Sequence, residues 1–187
     1  MSDYEAIQRL KSGDIGGLET LVASYQMKAL KTAFLILHDQ QMAEDVVQET
    51  FVRLYHQIHQ FDESRPFEPY LMRCVVNAAL NIARKDSAVI TIGASDDFER
   101  LETLLAHAVS IEAQAETRQQ RDEILAALSS LPPRQRTVIV QRYYLEMSER
   151  EMAQALDTPP GTVKWLLNEA RRRLRGFLSV KGAWKNE

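Results

Sequence analysis

The chain has 187 residues, 45% of them hydrophobic and 26% charged, a composition that suits one globular domain or two small ones and excludes a disordered or fibrous chain. Its longest apolar runs, FLIL and CVV, fall far short of the roughly 18 residues of a membrane span, its start lacks a signal peptide's apolar core, and its lone Cys74 excludes an internal disulfide or a cysteine-rich zinc site. Arg134–Glu187 carries 11 Lys+Arg against 6 Asp+Glu, net +5, leaving 12 against 20, net −8, for the remainder; the basic part suits nucleic-acid phosphates and the acidic part a protein.

Sparse Gly and Pro, with helical rather than alternating apolar spacing, predict an all-α protein. Ile7–Leu37 reads as two helices separated at SGDIGG, whose glycines mark a turn. A third helix covers QQMAEDVVQETFVRLYHQIHQF. Val47, Phe51, Leu54, Tyr55 and Ile58 make its core stripe, while Asp45, Gln48, Glu49 and Val52 share a different, mostly polar face. DESRPFEP interrupts the pattern with two prolines before YLMRCVVNAALNIARKD resumes it as a fourth helix, which makes Cys74 a buried structural thiol. From residue 87 to 115 the chain mixes Ser, Gly and acidic residues, which predicts an acidic linker with a transient helix near Leu101–Val109. Helical patterning returns near Glu116. The organisation is therefore two small helical domains, 1–86 and 116–187, joined by the linker 87–115.

In the second domain LPPRQRTVIVQRYY starts a helix at its prolines, and SEREMAQAL opens with a capping box, Ser148 with Glu151. DTPPG then turns the chain into GTVKWLLNEARRRL. On a helix, Val163, Leu167, Ala170 and Leu174 form the core stripe of that segment, and Trp165, Asn168, Glu169 and Arg172 point away from it. Lys164 and Arg171 lie on one flank, Leu166 and Arg173 on the other. Two short helices joined tightly, the second basic, make a helix-turn-helix whose second helix enters the major groove, with the amides near Gly161 and Thr162 close to a phosphate. His56 and His59 have no evident third ligand and read as surface histidines, not a metal site. With no phosphate loop, nucleophile elbow or Cys/His pair, no catalytic residue or cofactor is expected.

AEDVVQETFVRLY, FEPYLMRCVVNAALNIAR, LAALSSLPPRQRTVIVQRYY and SEREMAQALDTPPGTVKWLLNEARRRLR, in that order across both domains, resemble an extracytoplasmic-function (ECF) sigma factor, the smallest class of bacterial primary-sigma relatives. The resemblance implies a dissociable specificity subunit of bacterial RNA polymerase, cytoplasmic and nucleoid-associated in the holoenzyme, with no catalytic chemistry and no membrane insertion. Its implied partners are core polymerase, double-stranded promoter DNA, the melted non-template strand and an anti-sigma factor. Asp45, Gln48, Glu49 and Val52 then dock on polymerase. Arg73, Asn77, Asn81, Arg84 and Lys85 serve the minus-ten region, Asn77 bonding an unstacked base through an amide that both donates and accepts. Gly161, Thr162, Lys164, Trp165, Asn168, Arg171 and Arg172 serve the minus-thirty-five element.

The chain departs from the family where members commonly read close to GTVKSRLHRARRRL: Trp165 and Leu166 replace a small polar residue and an arginine, Asn168 a histidine and Glu169 an arginine, and Pro159 stands where a capping serine is usual. Trp165 has three readings: folded back on Leu166 or the first domain, against thymine methyls, or against an anti-sigma surface. A rival to the whole reading is a sigma-like interaction module that binds an anti-sigma factor and regulates transcription without initiating it.

Overall fold

The computed structural model describes residues 2–85 and 116–183, with side chains over 2–85 and 122–177. The helix expected near Leu101–Val109 lies outside the described residues. Among these residues every regular element is helical: α1 Asp3–Lys11, α2 Gly16–Leu37, α3 Gln40–Gln57 running into a 3-10 turn Ile58–Gln60, α4 Phe67–Lys85, α5 Glu116–Ser129, α6 Pro133–Ile139 continuing as a π-helical segment Val140–Tyr144, α7 Glu149–Ala155 and α8 Pro160–Ala183. The chain divides into two compact units, Met1–Asn81 and Ile82–Glu187, so the division falls about one turn before the end of α4.

In the first unit the helix starts are set by side chains that take up exposed amides. Ser2 and Glu5 form a capping box on α1, and the Asp39 carboxylate accepts from Met42 N–H at 2.8 Å to start α3. Two of the glycines between α1 and α2 do different work. Gly13 has φ +88, the left-handed region that favours glycine, whereas at Gly17 a Cβ would lie 2.2 Å from the Ala6 carbonyl oxygen. Gly17 thus lets α1 and α2 approach closely. The α4 stripe Phe67, Leu71, Val75, Ala79, with Met72, Val76 and Leu80 beside it, is buried in the core, together with Leu21, Ala29 and Ile36 of α2 and Val46, Phe51 and Leu54 of α3. Rings of Tyr25, Phe61 and Tyr70 close around Phe67 at 5.6, 5.6 and 6.5 Å.

Three expectations are corrected here. Tyr55 is 39% exposed, not part of the core stripe, because the buried arc of α3 runs through Ala43, Val46, Val47, Thr50, Phe51 and Leu54 and is centred away from Tyr55; its ring meets His56 edge-on at 5.3 Å. The fourth helix begins at Phe67, so it runs through Pro69. The proline falls in the first turn, where a missing N–H costs no intrahelical bond. Cys74 is half-buried, with burial pushing its thiol pKa up.

The second unit packs α8 against α5, α6 and α7. Its core holds Ile124, Leu128, Leu131, Val138, Ile139, Met152, Val163, Leu167, Ala170 and Leu174. Arg136 stitches the α5–α6 turn by donating from Nε to the Leu128 carbonyl at 3.0 Å and from Nη2 to Leu131 at 3.1 Å, so its cation serves carbonyls left over at the end of α5. Leu166, expected on a flank, is 6% exposed, because α8 has neighbours on several sides and buries Val163, Leu166, Leu167 and Ala170 together.

Candidate nucleic-acid interface

The turn before α8 is built by local chemistry. The capping box of Ser148 and Glu151 starts α7, with Glu151 N–H reaching the Ser148 hydroxyl at 3.3 Å and the Ser148 N–H reaching the Glu151 carboxylate at 2.8 Å. The Ser148 hydroxyl, then its backbone N–H, holds the Glu151 carboxyl below its ordinary pKa. Asp157 adopts the left-handed conformation at φ 46, and the Pro159 carbonyl takes the N–H of Thr162 at 2.9 Å and of Val163 at 3.2 Å. Pro160 has no N–H, so the Gly161 amide is the early one left at the open start of α8, and nothing crowds Gly161 within 4 Å of a Cβ position.

From that start α8 presents Lys164, Trp165, Asn168 and Arg172 to solvent, with Trp165 58% exposed. Its neighbour Leu166 is buried, at 6% exposure. Arg171 is half-buried. It donates from Nε and Nη2 to the Tyr143 hydroxyl at 3.1 and 2.9 Å and lies 5.9 Å from that ring's centroid. Tyr143 belongs to the π-helical segment, which has no signature in the sequence; its neighbour Tyr144 is pushed up to about 12 by burial. Arg172 instead pairs with Glu169 one turn back, holding that carboxyl below its ordinary range. Tyr143 and Glu169 are partners of α8 arginines that the sequence reading missed. The i, i+3 spacing of Glu169 and Arg172 was a usable signal; the 28 residues between Tyr143 and Arg171 gave none.

On α4 the residues Arg73, Asn81, Arg84 and Lys85 are exposed and Asn77 is half-buried, all at spacings of three, four or one along one side of the helix. Asn77 falls within this row, between Arg84 and Asn81 around the helix, and is less exposed than its neighbours. On α3, Asp45, Gln48, Glu49 and Val52 are exposed, Val52 by 50%. Asp45 accepts from Gln41 Nε2 at 3.1 Å, and Glu49 pairs with Arg53 at 3.1 Å, so the face is acidic with an apolar spot at Val52. His56 and His59 are exposed. Among the described residues no group of three or more His, Cys, Asp or Glu side chains is placed to hold a metal ion, and no helix is long and apolar enough to cross a membrane.

These elements coincide with two known families of domain. Sigma-70 region 2 matches residues 21–89 and Sigma-70, region 4 matches residues 121–174. The ECF RNA polymerase sigma factor SigW of Bacillus subtilis (strain 168) is 30% identical over 173 residues, which span 90% of this chain and 92% of that protein. The chain belongs to the ECF RNA polymerase sigma factors. As an ECF sigma factor it is a transcription initiation factor that directs RNA polymerase to promoters. The fold agrees: CnrH, solved in complex with the cytosolic domain of CnrY, superposes with a TM-score of 0.67 at 23% identity, covering 95% of this chain and 97% of that one. The sigma factor RpoE, solved with the anti-sigma factor NepR from Bartonella quintana, gives 0.61 at 17% identity, covering 87% and 96%.

Proposed function

We propose a division of labour in which residues 1–86 dock on core polymerase and open the minus-ten region, 87–115 form a linker, and 116–187 bind the minus-thirty-five duplex. Asp45, Gln48, Glu49 and Val52 make the polymerase contact. Arg73, Asn81, Arg84 and Lys85 follow the backbone of the opened DNA while Asn77 reads one extruded base. Gly161 and Thr162 meet a phosphate at the start of α8, and Lys164, Trp165, Asn168, Arg171 and Arg172 face the groove. The protein performs no catalytic step of its own, works in the cytoplasm and joins the nucleoid as part of the holoenzyme. An anti-sigma factor restrains it, a reading supported by the likeness to RpoE, which was solved with one.

The observation that carries the proposal is the separation of chemistry by helix: the α3 face is acidic, whereas the exposed side of α4 and the outward side of α8 carry amides and cations. Acidic groups repel phosphates and suit a protein partner, and amides with cations suit nucleic acid. Changing Asp45 and Glu49 to Lys together should abolish co-purification with core polymerase while far-UV circular dichroism stays that of the parent chain. Undiminished co-purification would reject the docking face. The rival, an interaction module that binds an anti-sigma factor without initiating transcription, draws on one observation, the exposed Trp165 beside a carboxylate on α8; failure of the parent chain to bind core polymerase would favour it.

A further inference from the structure

Arg172 donates from Nε to Glu169 Oε1 at 3.3 Å and from Nη2 to Oε2 at 2.7 Å, a two-point bond along one edge of the guanidinium. A guanidinium has five N–H donors in one plane, so the opposite edge, formed by Nη1 and the second Nη2 hydrogen, stays available. Two parallel N–H groups on such an edge match the O6 and N7 acceptors of guanine in the major groove. We propose that Glu169 is a positioning residue that holds Arg172 for two-point recognition of a guanine in the upstream promoter element. The inference rests on the reading of α8 as the promoter-recognition helix and deepens it.

Two physical arguments favour this role over a phosphate clamp. A free arginine on an exposed helix must give up side-chain freedom to read a base, and the bond to Glu169 has already restricted it. Charge points the same way. An unpaired carboxylate on a DNA-facing side is repelled by phosphates, but the pair is neutral overall, so Arg172 adds little net attraction to the backbone while keeping directed donors. Glu169 lies four residues after Trp165 and three before Arg172, so all three share the outward side of α8. Arg173 adds a weaker attraction to the same carboxylate.

The test uses the full chain reconstituted with core polymerase, on DNA selected by that holoenzyme and then varied one base pair at a time. The parent holoenzyme should prefer G·C at one upstream pair. Arg172→Ala should lose about 5- to 150-fold of discrimination at that pair alone. Glu169→Gln should lose discrimination at the same pair, and the double variant should lose no more than Arg172→Ala, with melting curves unchanged throughout and the salt slope lowered in none of the variants. Retention of the guanine preference in Glu169→Gln overturns the inference, as does a uniform loss over all sequences in Arg172→Ala with a salt slope lower by about one unit. Loss of preference at a cytosine in Glu169→Gln, with the guanine preference intact in Arg172→Ala, overturns it by giving the base contact to the carboxylate. A parent holoenzyme indifferent to every upstream base pair overturns this inference together with the recognition-helix reading beneath it.

Discussion

Trp165 offers a sharp trial of what α8 is for. A fully covered aromatic side chain buries about 150–250 Å². With 58% of the residue exposed, about 90–145 Å² of that remains for a partner. At about 25 cal/mol per Å² the remainder is worth about 2–4 kcal/mol, a ceiling from which the costs of ordering and association are subtracted. Trp165→Ser should therefore weaken upstream DNA binding by about 1–2 kcal/mol, a factor of about 5–30, with the loss concentrated at a thymine whose methyl group the indole covers. Nothing in the core changes, so the melting temperature should stay within about 2 °C of the parent. The assay is holoenzyme binding to a panel of single-base variants, alongside a thermal melt of the free protein. A drop of several degrees with unaltered sequence preference would refute the reasoning and make Trp165 a packing residue. Equal binding and equal stability would assign it to a protein partner.

Asn77→Ala should cost about 1–3 kcal/mol in promoter binding and relax discrimination at one minus-ten position only, as read from single-base variants; a uniform loss across variants contradicts base reading. Gly17→Ala forces a Cβ to within 2.2 Å of the Ala6 carbonyl oxygen, so chemical denaturation should report a loss of about 1–3 kcal/mol, and an unchanged midpoint contradicts the close approach of α1 and α2. Because the Glu151 carboxyl is held below its ordinary pKa, its capping contribution is full above that ordinary value and fades as pH falls through the lowered one. Glu151→Gln should therefore flatten the acid limb of the stability profile, measured by melting across pH, and an identical acid limb would remove Glu151 as a contributor.

Much of the helical framework was legible because burial on a helix imposes its own period. Val163, Leu167, Ala170 and Leu174 could be assigned to the core from spacing alone, and all four are buried. Ser148 with Glu151 gave the start of α7 because a capping box is a local device that the sequence spells out. What spacing could not supply was how many neighbours a helix has. Leu166 is buried because α8 packs on several elements, and Tyr55 is exposed because the buried arc of α3 is rotated towards Val46 and Thr50. Pro69 misled for a different reason: proline breaks a helix interior but is tolerated in a first turn, and the start at Phe67 was not marked. The α8 surface was legible as a set of outward residues, whereas the anchoring of Arg171 on Tyr143 depends on tertiary proximity and on a π-helical segment without a sequence signal. The pairing of Arg172 with Glu169 lay in plain sight at i, i+3, yet only coordinates show which edge of the guanidinium it uses.

The central claim is that this chain turns core polymerase into a promoter-specific enzyme, and run-off transcription tests it most directly. Core polymerase with the purified chain, on DNA selected by the reconstituted holoenzyme, should yield a transcript of defined length from one start site, absent when the chain is omitted or the upstream element is scrambled. Stable binding to core polymerase with no transcript above that of the core enzyme alone would contradict the account.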